Sequence, residues 1–299
     1  MRQSLALRQQ LGIAIDSEIA DRVKQHQATI ARLKGARAAA ATAGIAPAAE
    51  PLVMFAQGDS WFDYPLNGNA ISLTSTDIIA QLQGMGTTNP VIANIAHYGE
   101  ASTDEMGLPK QQRMIELLRD PSNWLGRGKP DAILFSAGGN DIVGDQFCIF
   151  LGYASAGEPG LEDQRFQEAL GIVEASYNDL FAFRDLYAPG VPVFAHCYDF
   201  PLPTGTPAGC LGPWLKPSLD YAGWNFTQGT AICRDALLAF RTLLQGLAAD
   251  AANLFFLVDT QGVLDASDWA NELHPYPPGF SKLAAKFVDA LRVVFPGRI

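Results

Sequence analysis

The chain has 299 residues, of which 48% are hydrophobic and only 17% charged, with a formal net charge of −10. That balance excludes a disordered chain, and the length can bury the core of one large domain or two modest ones. An acidic surface repels phosphate backbones, so nucleic acid is not an expected partner, and four cysteines are too few for a disulfide scaffold.

The first 50 residues read as helix followed by linker. Leu11, Ile15, Ile19, Val23, Ile30 and Leu33 recur at steps of three, four or seven with polar residues between them, and Gly44, Pro47 and Pro51 stop the pattern. We expect this extension to pack on the main domain or on a second copy of the chain, which would make it a route to a homo-oligomer. It contains no secretory apolar region, and no run in the chain approaches the roughly 20 apolar residues that span a bilayer. The expectation is a cytoplasmic protein without a membrane span.

From Leu52 onward a strand–helix rhythm begins, and residues 51–299 are expected to form one domain. Short apolar runs without alternation occupy 52–56, 91–96, 132–137, 191–195 and 254–258, as strands buried on both faces of a parallel sheet do. Helical patterns fall at 76–83, 103–118, 163–187, 230–249 and 279–295. The alternation predicts an α/β fold, a three-layer α/β/α sandwich around a five-stranded parallel sheet. The proline-rich stretch from Tyr198 to Trp224 is long for a compact domain and is expected to serve as a lid or binding wall. Cys197 and Cys210 bracket part of it; reduced thiols are the expectation in a cytoplasmic chain.

In such sheets ligands bind beyond the carboxyl ends of the strands, and the polar residues of this chain gather there. Ser60 follows the first run in GDSWFDYP, at a turn where it can present its hydroxyl and its own N–H. Gly99, in HYGEAS, offers an unencumbered backbone N–H after the second run. Asn140, in GGND, offers a side-chain amide after the third. Three such donors are what a tetrahedral oxyanion needs. His274 stands between the last run and the last helix in NELHPYPP, held by prolines, as a general base requires. His97 and His196 end strands at the same edge and are rival bases. Asp59 and Asp63 are four apart, not the two that a DxD phosphatase requires; Asp59 and Asp141 read as anchors for the loops.

These four blocks, in this order, resemble the SGNH (GDSL-type) hydrolase family over about Leu52 to Ile299. The resemblance implies a flavodoxin-like fold, ester hydrolysis without metal or organic cofactor, and a small-molecule ester substrate. It implies Ser60 as nucleophile, His274 as base, and Ser60 N–H, Gly99 N–H and Asn140 Nδ2 as the oxyanion hole. One position departs: where the family carries an Asp three residues before the histidine, this chain has Asn271. Asp268 is expected to reach round and orient His274, with Asn271 as a weaker orienter, or a Ser–His dyad with a backbone carbonyl, as the alternatives. Trp61, Phe62, Tyr64, His97, His196 and Trp214 are the expected pocket wall. An acyltransferase on the same site, or a glycan- or phosphate-binding module of the same fold, are the rival functions.

Overall fold

The structure is a computed structural model, and it describes residues 2–46, 49–65, 76–126, 128–205 and 212–299. A long helix, α1 (Arg2–Thr42), precedes five strands: β1 (Val53–Gly58), β2 (Val91–Asn94), β3 (Ala132–Ser136), β4 (Val193–His196) and β5 (Phe255–Val258). All pair in parallel, in the order β2-β1-β3-β4-β5. The predicted α/β sheet is therefore present, and the continuous apolar runs have their cause: every residue of β1, β3 and β4 is buried.

Two helical layers flank the sheet. On one face α9 (Pro277–Val294) packs with α2 (Ile78–Leu82), and its Phe287 meets Phe62. On the other, α3 (Ser102–Glu105), α6 (Asp163–Tyr187) and α8 (Phe226–Ala249) pack together, with Tyr177 edge-on to Phe135 of β3. Burying one such aromatic side chain contributes about 1.5–3 kcal/mol. The helix predicted over 103–118 is two, α3 and α4 (Leu108–Arg119), because Gly107 and Pro109 interrupt it with an N-cap and a missing N–H. The start of α8 lies four residues earlier than predicted, at an Asn225–Gln228 capping box. Two further short helices, α5 (Gly139–Ile142) and α7 (Lys216–Tyr221), lie in the loops after β3 and β4.

Helix α1 packs along β2, the outer strand, with Ile19 and Ile30 wholly buried and Ile15, Val23 and Leu33 half-buried against the same core. The side chain of Leu11 lies outside the described residues. Polar ties run along its length: Arg113 to Asp16, His26 to the Asn123 carbonyl, and Arg37 to Glu50. Among the described residues no helix is long and apolar enough to cross a membrane.

Candidate active site

The sheet reverses its winding direction between β1 and β3, and the crevice above that point is where open α/β sheets bind ligands. β1 ends there at Gly58. A Cβ on Gly58 would lie 2.7 Å from both the Cβ and the carbonyl oxygen of Ser136, so only glycine lets the two strand ends come this close. The chain then turns at once, with Phe62 N–H and Asp63 N–H both donating to the Asp59 carbonyl at 3.0 and 3.1 Å. Ser60 rides on this turn, 9% exposed, with its Oγ 2.7 Å from Nε2 of His274.

The tautomer of His274 follows from its neighbours. Asn271 Oδ1 accepts from Leu273 N–H at 2.9 Å and His274 N–H at 2.8 Å, so the amide oxygen, not the nitrogen, faces the loop. The same oxygen lies 3.3 Å from His274 Nδ1. Nδ1 therefore carries the hydrogen, and Nε2 is left to accept from the Ser60 hydroxyl. Tyr64 lies over the imidazole with centroids 4.3 Å apart, and Trp214 meets it edge-on at 5.5 Å. Burial lowers the His274 pKa from 6.5 to about 3, which keeps the ring neutral near pH 7.

The expectation that Asp268 orients His274 is corrected by this geometry. Asp268 Oδ2 instead takes Lys282 Nζ at 2.6 Å and the Asp265 N–H at 2.8 Å, and the Lys282 and Asp265 hydrogen bonds help hold its carboxyl below the usual range despite burial. Asn271 occupies the orienting position. The other nearby carboxylate, Glu272, is wholly buried and, among the described residues, accepts the backbone N–H groups of Gly205, Trp214, Leu215 and Lys216. That carboxylate holds part of the loop after β4 against the site and places Trp214 beside His274. On the same side Asp199 accepts Phe200, Gly262, Val263 and Leu264 N–H, tying the loops after β4 and β5 together.

Gly99 and Asn140 face Ser60 and His274 across a cavity of about 100 Å³, also lined by Tyr64, Leu273 and Trp214. Gly99 has φ +78 and open space where a Cβ would stand, so its backbone is accessible. Asn140 Nδ2 donates to the Glu100 carbonyl at 2.8 Å, which leaves its second N–H to serve the cavity. A second cavity of about 40 Å³ shares Ser60, Asn140, Leu273 and His274 and reaches Trp61, Tyr198 and Leu237. Of the expected pocket residues, Trp61, Tyr64 and Trp214 line these spaces. Phe62, His97 and His196 do not.

Each of those three has another place. Phe62 is in the core. His97 stacks on Tyr98 at 4.2 Å. His196 is wholly buried, accepts from Tyr198 N–H at Nδ1 and meets Ser136 Oγ with Nε2 at 2.8 Å. Neither rival base touches Ser60. Cys197 is a buried free thiol, while Cys210 lies outside the described residues.

Under Ser60 runs a buried polar network. Asp59 accepts from Trp61 N–H (2.9 Å), Ser136 Oγ (2.7 Å) and Tyr198 Oη (2.6 Å), while its pKa is pushed up to about 6, chiefly by burial. Tyr198 in turn accepts the Gly139 N–H at 3.0 Å, coupling the Ser60 turn to the Asn140 loop. Its backbone has φ +56, a left-handed conformation that costs a tyrosine roughly 1–3 kcal/mol. Asp141 caps α3 by accepting from Ser102 N–H and Oγ, both at 2.8 Å. Sequence reasoning missed Tyr198, Glu272 and Asp199 as site builders: their partners are mostly backbone amides or distant in the chain. Among the described residues no group of three or more His, Cys, Asp or Glu side chains is placed to hold a metal ion.

No family model and no curated protein matches the sequence. Solved structures do match. One is the lipase Lip_vut3 from a goat rumen metagenome, at 16% identity and TM-score 0.53, covering 80% of this chain and 97% of that one. Another is an extracellular lipase from Streptomyces rimosus, at 18% identity and TM-score 0.52, covering 80% and 99%. The chain thus shares the α/β fold of these two lipases.

Proposed function

We propose that this protein is a serine ester hydrolase that works through an acyl-enzyme on Ser60. The observation that carries the reading is the 2.7 Å contact between Ser60 Oγ and His274 Nε2, with Nε2 left as acceptor by the Asn271 contact to Nδ1. A neutral imidazole so placed can take the serine proton as Oγ attacks the ester carbonyl carbon. The oxyanion is received by Ser60 N–H, Gly99 N–H and the free N–H of Asn140. His274 then returns the proton to the departing alkoxide. Water, deprotonated by the same nitrogen, attacks the acyl-enzyme and releases the carboxylic acid. Asn271 orients the ring but brings no charge to the imidazolium formed on the way.

The cavity of about 100 Å³ beside Ser60 and His274 admits a short acyl group. p-Nitrophenyl acetate is therefore the probe of choice. Wild type is expected to release nitrophenolate and Ser60→Ala to lose about 10⁴-fold or more of kcat. Wild-type turnover in the Ser60→Ala variant would overturn the reading.

A further inference from the structure

Helix α1 reaches the segments that carry Ser60 and Gly99 through Arg22. Arg22 Nη1 pairs with Asp63 Oδ1 at 3.0 Å, and Nη2 donates to the Ala96 carbonyl at 2.8 Å. Asp63 closes the turn that begins at Asp59 and carries Ser60. Ala96 lies three residues before Gly99, on the loop that leaves β2. Ala96 is held at both of its flanking peptides, because its N–H donates to Asn94 Oδ1 at 3.0 Å while Arg22 holds its carbonyl. The same two segments are also joined by Asn94 Nδ2, which donates to the Phe62 carbonyl at 2.8 Å, and by His97 N–H, which donates to the Gly58 carbonyl at 2.9 Å. The guanidinium is only partly exposed, at 23%, and faces a carboxylate at 17%, where ion pairs are less screened than at a surface.

We propose that Arg22 is a positioning residue that fixes the spacing between the Ser60 turn and the Gly99 loop, and so between two of the oxyanion donors. The proposal rests on the ester-hydrolase reading above. Its physical basis is the planar fork of arginine, which holds two acceptors at a set separation; a lysine ammonium has no such fork. A helix that looks like an extension in the sequence thereby becomes part of the catalytic framework. Asp16–Arg113 and His26–Asn123 hold α1 on the domain at either side of Arg22, so the fork has a fixed base.

Oxyanion contacts form in the transition state and not with bound substrate, so their misplacement lowers kcat and leaves KM nearly alone. With p-nitrophenyl acetate, Arg22→Ala is expected to lower kcat about 10- to 100-fold, with KM changed less than about threefold. The rate of Ser60 phosphonylation by a fluorophosphonate should fall in parallel, because the phosphonyl oxygen uses the same donors. Arg22→Lys should recover only part of the loss. If Arg22→Ala does not fold, the Arg22→Lys and Asp63→Asn variants carry the same test, each with an intermediate loss of kcat. A lowered melting temperature with unchanged kcat per folded molecule would show a purely structural arginine and overturn the proposal, as would full recovery in Arg22→Lys. Failure of the wild type itself to turn over the ester or to be phosphonylated would strike the hydrolase reading instead.

Discussion

Ser60 and His274 touch, but the two sides of that contact are built from different chemistry. On the side of Ser60 lie buried or half-buried carboxyls, among them Asp59, Glu105 and Asp141, raised above their usual pKa chiefly by burial. On the side of His274 the imidazole meets an amide oxygen and two aromatic rings, while the nearby carboxylates of Asp268 and Glu272 are committed to Lys282 and to backbone N–H groups. A buried carboxyl is tolerated when it is hydrogen-bonded or neutral. Asp59 shows the first solution, with three donors. Glu105 shows the second: it is fully buried, its two carboxyl oxygens find no hydrogen-bond partner among the described residues, and neighbouring Asp59 and Asp141 add to the burial that pushes its pKa well up. Negative charge is thus confined to where hydrogen bonds can hold it, and the His274 ring is held by an amide oxygen in place of a carboxylate.

The larger test of this contrast is Glu105→Gln. The folded pKa of Glu105 stands above its unfolded value of 4.5, so above that pH the unfolded chain releases a proton that the folded chain retains. Glu105 therefore weakens the fold as pH rises from 4.5, by up to about 1.4 kcal/mol per pH unit until the folded group ionises. Glutamine imitates the neutral acid without that penalty. Urea unfolding should show the variant near wild type at pH 4 and increasingly more stable toward pH 7. A stability difference that does not change with pH would mean that Glu105 is ionised in the fold and that the contrast is drawn wrongly.

A smaller effect is expected from Asn271→Asp, which gives the base the charge it lacks. The aspartate can still accept from Leu273 N–H, His274 N–H and Nδ1, though Tyr64 Oη, which now receives the amide N–H at 3.1 Å, would have to donate instead. Stabilising the imidazolium should raise kcat on the order of tenfold. It should also raise the His274 pKa, now lowered by burial to about 3, and so move the acid limb of kcat/KM upward. In the wild type that limb should lie below 6.5, the ordinary histidine value, since protonation of His274 removes the base. An unchanged limb in the variant would show that position 271 does not reach the ring.

What the sequence made readable, and what it hid, divide along physical lines. Five apolar runs announce five strands, because a parallel sheet covered on both faces leaves polar residues little room. Ser60, Gly99, Asn140 and His274 stand at strand ends or before the last helix, where the chain order alone suggests a common site. The orienter of His274 was misread because the chemistry asks for a charge, and Asp268 is the nearest unassigned aspartate; six residues are too many once Asp268 joins Asp265 and Lys282. Asp199 and Glu272 hold loops through backbone amides, which carry no residue identity. Arg22 acts across 41 residues to Asp63 and 74 to Ala96, a distance no local pattern reveals.

The central claim is that Ser60 is a nucleophile activated by His274. Incubation of the intact protein with a fluorophosphonate, followed by peptide mass spectrometry, tests it most directly. The account predicts one adduct, on the peptide containing Ser60, formed slowly or not at all in His274→Ala and absent in Ser60→Ala. An unlabelled Ser60 in the wild-type protein, or an adduct on another serine, would contradict it.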